Sequence, residues 1–188
     1  MSSEFNEIVF AKNAIDFGVK LLTKSRFCII MSYMHIRRFV NSDAKSVSDM
    51  IALTLRTTNI KDYTYEYIEN LVAKITPIYL IDKASHTHMY VVTIGDKIVG
   101  CGAIGPYYDK TDESCLFTIF VLPDYQGQGI GKKIIDTLES DEYFIRAKRI
   151  EVPASITAQK FYLKQGYGYK NSYNPLDNDS LVYMEKFR

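Results

Sequence analysis

The spacing of apolar positions divides the chain into a short series of elements. From His35 to Val40 the run HIRRFV reads as a short strand. Asn41-Ser42-Asp43 then supplies cap residues for a helix that places Val47, Met50, Ile51 and Leu55 on one face. A second helix, from Thr64, carries Ile68, Leu71, Val72 and Ile75 on one stripe and is stopped by Pro77. HMYVVTIGDKIVGCGAIGPY follows the pattern of a hairpin: strand, Gly-Asp turn, strand. After a polar connection from Tyr107 to Ser114, CLFTIFVLP is almost wholly apolar, as expected of a central strand covered on both faces, and it ends at Pro123.

Helical spacing then returns. Ile130, Ile134, Ile135 and Leu138 share one face of a helix that begins in a glycine cluster. RAKRIEVPAS reads as a strand, and SITAQKFYLKQ as a helix with Ala158, Phe161 and Tyr162 inward and Gly166 as its C-cap. A turn-rich segment with Asn171, Asn174, Pro175 and Asp177 leads to a last strand, LVYMEKF. Residues 1–33 carry a loose helical pattern broken by Gly18 and read as an N-terminal extension, a helix or a tail. Residues 34–188 read as one α+β domain.

Composition narrows the function classes. A chain of 188 residues is long enough for one sizeable core without a disulfide or structural metal. With 23 Lys plus Arg against 22 Asp plus Glu, the net charge of +1 gives no broad basic field, so no nucleic-acid partner is expected. No apolar run is long enough to span a bilayer, and no membrane association is expected. Cys28, Cys101 and Cys115 are odd in number, widely spaced and without a CxxC, which suits packed thiols in a reducing, cytoplasmic compartment. His35, His86 and His88 form no zinc spacing with them, so no metal is expected. Tyrosine is abundant, 15 residues beside 10 Phe and no Trp. It serves as core filler, as cleft wall, or as an acid with a pKa of about 10.

The chemistry concentrates in Gln126-Gly127-Gln128-Gly129-Ile130-Gly131, between the apolar strand and the following helix. Inward-pointing backbone N–H groups and the unpaired N–H groups of a helix's first turn suit a phosphate, and Lys132 and Lys133 add charge of the same sign. A dinucleotide fingerprint fails because Lys132 stands where its last glycine belongs. A P-loop fails too: counted from Gly127 its second glycine is Lys132, and counted from Gly129 it is Ile134.

The segment does resemble the acyl-CoA signature of the GNAT superfamily of N-acetyltransferases: Gln126, Gly129 and Gly131 directly after a strand ending FVLP. A second stretch, Ser155 to Tyr167, is similar to that family's downstream motif of Asn, Ala, an aromatic-Tyr pair and a Gly-aromatic pair, with Ser155 in the asparagine position. The resemblance covers about residues 34 to 188. It implies a mixed, mostly antiparallel central sheet, splayed between the fourth and fifth strands and flanked by helices. It also implies acetyl-CoA as cosubstrate, a primary amine of a small molecule or peptide as acceptor, and direct attack in a ternary complex. A non-catalytic acyl-CoA sensor or interaction module on the same fold is the alternative, and a homodimer is compatible with the fold.

Carried onto this chain, the resemblance places pantetheine against the backbone of Ile119, Phe120 and Val121. It places the diphosphate on the N–H groups from Gln126 through Gly127, Gln128, Gly129 and Ile130 to Gly131, with Lys132 nearby. Ser155 is expected to contact pantetheine or cap its helix. Tyr162 is the candidate acid for the leaving thiolate, and backbone N–H groups near Val121 the candidate oxyanion donors. The base is less defined. Glu113, at the start of the apolar strand, is the nearest carboxylate, with Glu151 or a water chain as the other options. Asp109, Asp112 and Glu113 give one rim an acidic cast that suits a cationic amine.

Overall fold

The computed structural model describes residues 34–170 and 181–188. The reading of residues 1–33, and the turn-rich segment at 171–180, fall outside the described residues.

Its elements in chain order are β1 (Met34–Arg38), α1 (Ala44–Thr57), α2 (Tyr65–Lys74), α3 (Pro77–His86), β2 (His88–Ile94), β3 (Lys97–Pro106) and β4 (Glu113–Val121). There follow α4 (Ile130–Leu138), α5 (Glu142–Arg146), β5 (Arg149–Ser155), α6 (Gln159–Lys164), β6 (Gly168–Tyr169) and β7 (Leu181–Phe187). The strands form one sheet in the order β1-β2-β3-β4-β5-β7-β6. Pairing is antiparallel for β2/β3, β3/β4, β5/β7 and β6/β7, and parallel for β4/β5.

Two helices go beyond the sequence reading. Pro77 does not merely stop α2, which already ends at Lys74; it is the first residue of α3. The missing proline N–H costs nothing at that position, and the Thr76 side chain caps the new helix by accepting from Tyr79 N–H at 3.2 Å. The Thr-Pro pair was a start signal as much as a stop signal. The short α5 is capped by Asp141, which accepts from Tyr143 N–H at 2.9 Å and from the Tyr90 hydroxyl at 2.7 Å. His88 Nδ1 lies 2.8 Å from the same carboxylate.

The core lies where α1 and α4 pack on β3. Val47, Ile51 and Leu55 from α1 and Ile130, Ile134 and Leu138 from α4 are buried, as are Val99, Cys101 and Ala103 of β3. Gly102 permits the close approach of α4, because a Cβ there would lie 2.5 Å from Ile134 Cγ2. Burial pushes both the Cys101 and the Cys115 thiol up to about 12, so they pack as inert small hydrophobes.

Asp43 sits ahead of α1 but works as an anchor more than as a cap. It accepts two bonds from Arg37, at 2.7 and 2.9 Å, and one from Val40 N–H at 2.9 Å, tying β1 to the helix start.

Candidate active site

Two irregularities in β4 create the site. The β4/β5 ladder runs only from Glu113 opposite Arg149 to Cys115 opposite Glu151. Beyond it the two strands have no ladder between them, so the β5-facing edge of β4 from Leu116 to Val121 is open. The β3/β4 register also shifts: Cys101 faces Phe120 while Ala103 faces Phe117, leaving two residues of β4 against one of β3. The extra residue bends the strand. Thr118 within this bulge has φ +54°, and the Cys101 thiol donates to its carbonyl at 3.2 Å.

The splay opens into a cleft of about 680 Å³. One side is lined by β4 from Leu116 to Val121, by Gln126, Gly127, Gly129, Gly131 and Lys132, and by Ser155, Ala158, Phe161 and Tyr162. The turn after β4 owes its shape to Gly127 at φ +73° and Gly129 at φ +80°, a region other residues enter at a cost of about 1–2 kcal/mol. A Cβ on either glycine would meet no protein atom within 4 Å. The space they leave is open to the cleft, and Gly129 leads directly into α4, whose first N–H groups lack helical acceptors. Backbone donors and open volume together suit a diphosphate.

Most of the anticipated cofactor contacts converge on this side, and five of them need qualification. Gln126 turns back to donate to Val121 C=O at 2.9 Å and to the Thr58 hydroxyl at 3.3 Å. Gln128 and Ile130 do not line the cleft: the Gln128 side chain donates to Asp124 C=O at 2.8 Å, and Ile130 is buried in the core. Lys132 lines it but is paired with Asp136 one turn along α4, at 2.7 Å. Ser155 lines it without capping a helix, because a 3-10 turn over Ile156–Ala158 intervenes before α6.

Tyr162 is 4% exposed and packs edge-on to Phe161 at 5.1 Å and Tyr167 at 5.8 Å. Among the described residues nothing hydrogen-bonds its hydroxyl. Burial, with a smaller effect of Cys115, pushes its pKa up, so it holds its proton throughout the neutral range.

Glu113 is placed elsewhere. It lies at the closed end of the β4/β5 splay, outside the cleft lining, with its carboxylate 2.6 Å from Arg149 Nη1. Arg149 also binds Glu151 and Glu185, and Lys170 reaches Glu151 at 2.7 Å. Two of the expected rim carboxylates are therefore committed: Glu113 to Arg149, and Asp112 to Lys148 at 3.2 Å. Tyr107 and Tyr108 are likewise away from the cleft, with Tyr107 under Arg149.

The opposite side of the cleft lies on the helical region 43–76, where sequence reasoning expects acceptor selection without singling out side chains. Tyr63, Tyr67, Leu71 and Ile75 recur at intervals of four and line it together with Leu55, Ile68 and Tyr79. Tyr63 and Tyr67 stack at 4.9 Å and 13°. The interval of four was visible in the sequence, but it overlapped the stripe assigned to the core.

Comparisons with known proteins connect this splayed sheet and glycine turn to acetyltransferases. A family model described as an acetyltransferase (GNAT) domain matches residues 85–168. An uncharacterized N-acetyltransferase of Staphylococcus epidermidis is 26% identical over 112 residues, covering 55% of this chain and 73% of that protein. A GCN5-related N-acetyltransferase from Rhodopseudomonas palustris has TM-score 0.67 at 23% identity, covering 82% of this chain and 95% of its own. The PaiA N-acetyltransferase from Thermoplasma acidophilum, solved in complex with coenzyme A, has TM-score 0.70 at 16% identity, over 82% and 99%. The fold is that of the GNAT acetyltransferases, and residues 85–168 are similar to their domain, which supports an acyltransferase. Among the described residues no helix is long and apolar enough to cross a membrane.

Proposed function

We propose that the protein transfers the acetyl group of acetyl-CoA to a primary amine by direct attack within a ternary complex. The observation that carries this reading is the conjunction of the open β4 edge with the Gly127–Gly129 turn, along one wall of one cleft. The acetyl thioester supplies the activated acyl group. The backbone of Ile119, Phe120 and Val121, beyond the end of the β4/β5 ladder, offers amide partners to an extended pantetheine arm, with Gln126 releasing the Val121 carbonyl. The N–H groups from Gln126 to Gly131 face the diphosphate, and Lys132 has to exchange its bond to Asp136 for one to phosphate.

Catalysis needs three things: a neutral amine, donors for the negative charge developing on the thioester carbonyl oxygen, and a proton for the leaving thiolate. Tyr162 provides the proton, being inside the cleft, protonated and without a competing partner. Backbone N–H groups of β4 near Val121 provide the donors. Glu113 does not serve as base, since Arg149 holds it outside the cleft. No carboxylate among the described residues lines the cleft, and apolar walls disfavour an ammonium, so the amine is selected in its neutral form.

The test is turnover of acetyl-CoA by the purified chain with a panel of amines. Equimolar free CoA and acetylated amine support the reading; CoA binding without acetyl transfer to any amine overturns it.

A further inference from the structure

The cleft's second wall carries information about the acceptor that the family does not supply, because residues 55–79 lie outside the segment matched by the family model. We propose that the acceptor is a small primary monoamine with an aromatic or branched apolar body, and not a polyamine or a polyhydroxylated amino sugar. This inference rests on the acetyl-transfer reading and narrows it.

Three observations support it. The wall is built of Leu55, Ile68, Leu71 and Ile75 with the stacked rings of Tyr63 and Tyr67, a surface suited to a flat or branched apolar body. Charge points the same way. No Asp or Glu among the described residues lines the cleft, its one charged lining residue there is Lys132, and the Lys83 ammonium already stands 4.2 Å over the ring of Phe117. Carboxylates around the cleft have partners of their own: Asp62 accepts from the Thr157 hydroxyl at 2.6 Å, Glu69 binds Arg56, and Glu113, Glu151 and Glu185 share Arg149. A second ammonium on the acceptor enters such a site without a counter-charge, which is costly.

The third observation concerns size. The turn between α1 and α2 is tied across to the end of β5: the Tyr63 hydroxyl accepts from Ile156 N–H at 2.8 Å, beside the Asp62–Thr157 bond. These ties bound the acceptor side and suit a small molecule over an extended peptide.

The test compares 2-phenylethylamine, 1,5-diaminopentane, spermidine and an amino sugar as acceptors, after acetyl-CoA binding has been measured by calorimetry. The expected result is a kcat/KM for phenylethylamine at least about 10-fold above each of the other three. Leu71→Glu, which places a carboxylate on the wall, should lower that ratio by about 10-fold or more with acetyl-CoA affinity unchanged. Leu71→Gln, which removes apolar surface without adding charge, should lower the ratio less than Leu71→Glu does, which separates charge from packing. Equal or better use of any of the other three amines, or an unmoved ratio in Leu71→Glu, would each overturn the inference. Absence of acetyl-CoA binding, or binding with no amine acetylated, would instead overturn the acetyl-transfer reading on which it rests.

Discussion

Replacing Tyr162 by phenylalanine separates catalysis from packing, because its hydroxyl is chemically placed but structurally idle. The ring contacts to Phe161 and Tyr167, at 5.1 and 5.8 Å, survive the change. The hydroxyl has no hydrogen-bond partner among the described residues, so its removal orphans no donor or acceptor. Stability should therefore stay within about 0.5 kcal/mol of the parent. Turnover should behave differently. If the hydroxyl protonates the departing thiolate, kcat should fall by about 10- to 1000-fold, or roughly 1.4–4 kcal/mol of barrier. The assays are thiol release at saturating acetyl-CoA and amine, urea unfolding, and calorimetric binding of CoA. Unchanged kcat in a stable variant would remove Tyr162 from the mechanism. A loss accompanied by weakened CoA binding or lowered stability would assign the residue to packing.

Three further expectations follow from particular contacts. Gly129→Ala forces a φ of +80° on an alanine and projects a methyl into the space of the glycine turn, so CoA affinity should fall at least about 10-fold with a stability loss of about 1–2 kcal/mol; calorimetry and urea unfolding check both. Asp43→Asn should lower stability by about 1–3 kcal/mol at neutral pH, because Asp43 anchors Arg37 and Val40 N–H. The Arg37 guanidinium holds the Asp43 carboxyl below the usual range. Its contribution is thus present above the unfolded pKa of about 3.9 and lost as pH falls through the folded value, and the stability curves of parent and variant should converge in acid. Finally, with no carboxylate among the described cleft residues to act as base, the rising limb of kcat/KM against pH should follow the acceptor's own pKa. A limb that stays fixed when a strongly basic amine is exchanged for a weakly basic one would point to a titrating protein base.

Contiguity decided what the sequence revealed. The apolar run of β4, the glycine turn and α4 lie next to one another in the chain, so their spacing marked the glycine-turn side of the cleft. The Phe161-Tyr162 pair was equally visible because one short helix carries it. Glu113 illustrates the opposite case. A residue at the start of β4 can lie at the open or the closed end of the splay, and only the ladder, which holds Glu113 opposite Arg149, shows which. The acceptor wall was obscure for a related reason: Tyr63 and Tyr67 are half-buried residues whose facing partners on β4 and after β5 lie roughly fifty to ninety positions away, and α3 was hidden by a proline that both follows one helix and starts the next.

The acetyl-transfer reading is tested most directly by incubating the purified full chain with acetyl-CoA and 2-phenylethylamine and quantifying both products by mass spectrometry. Free CoA and N-acetylated amine should appear in equal amounts, at a rate that depends on enzyme concentration and drops in Tyr162→Phe. Tight CoA binding without an acetylated product, from this amine or any other in the panel, would contradict it and leave a CoA-binding protein without transferase activity.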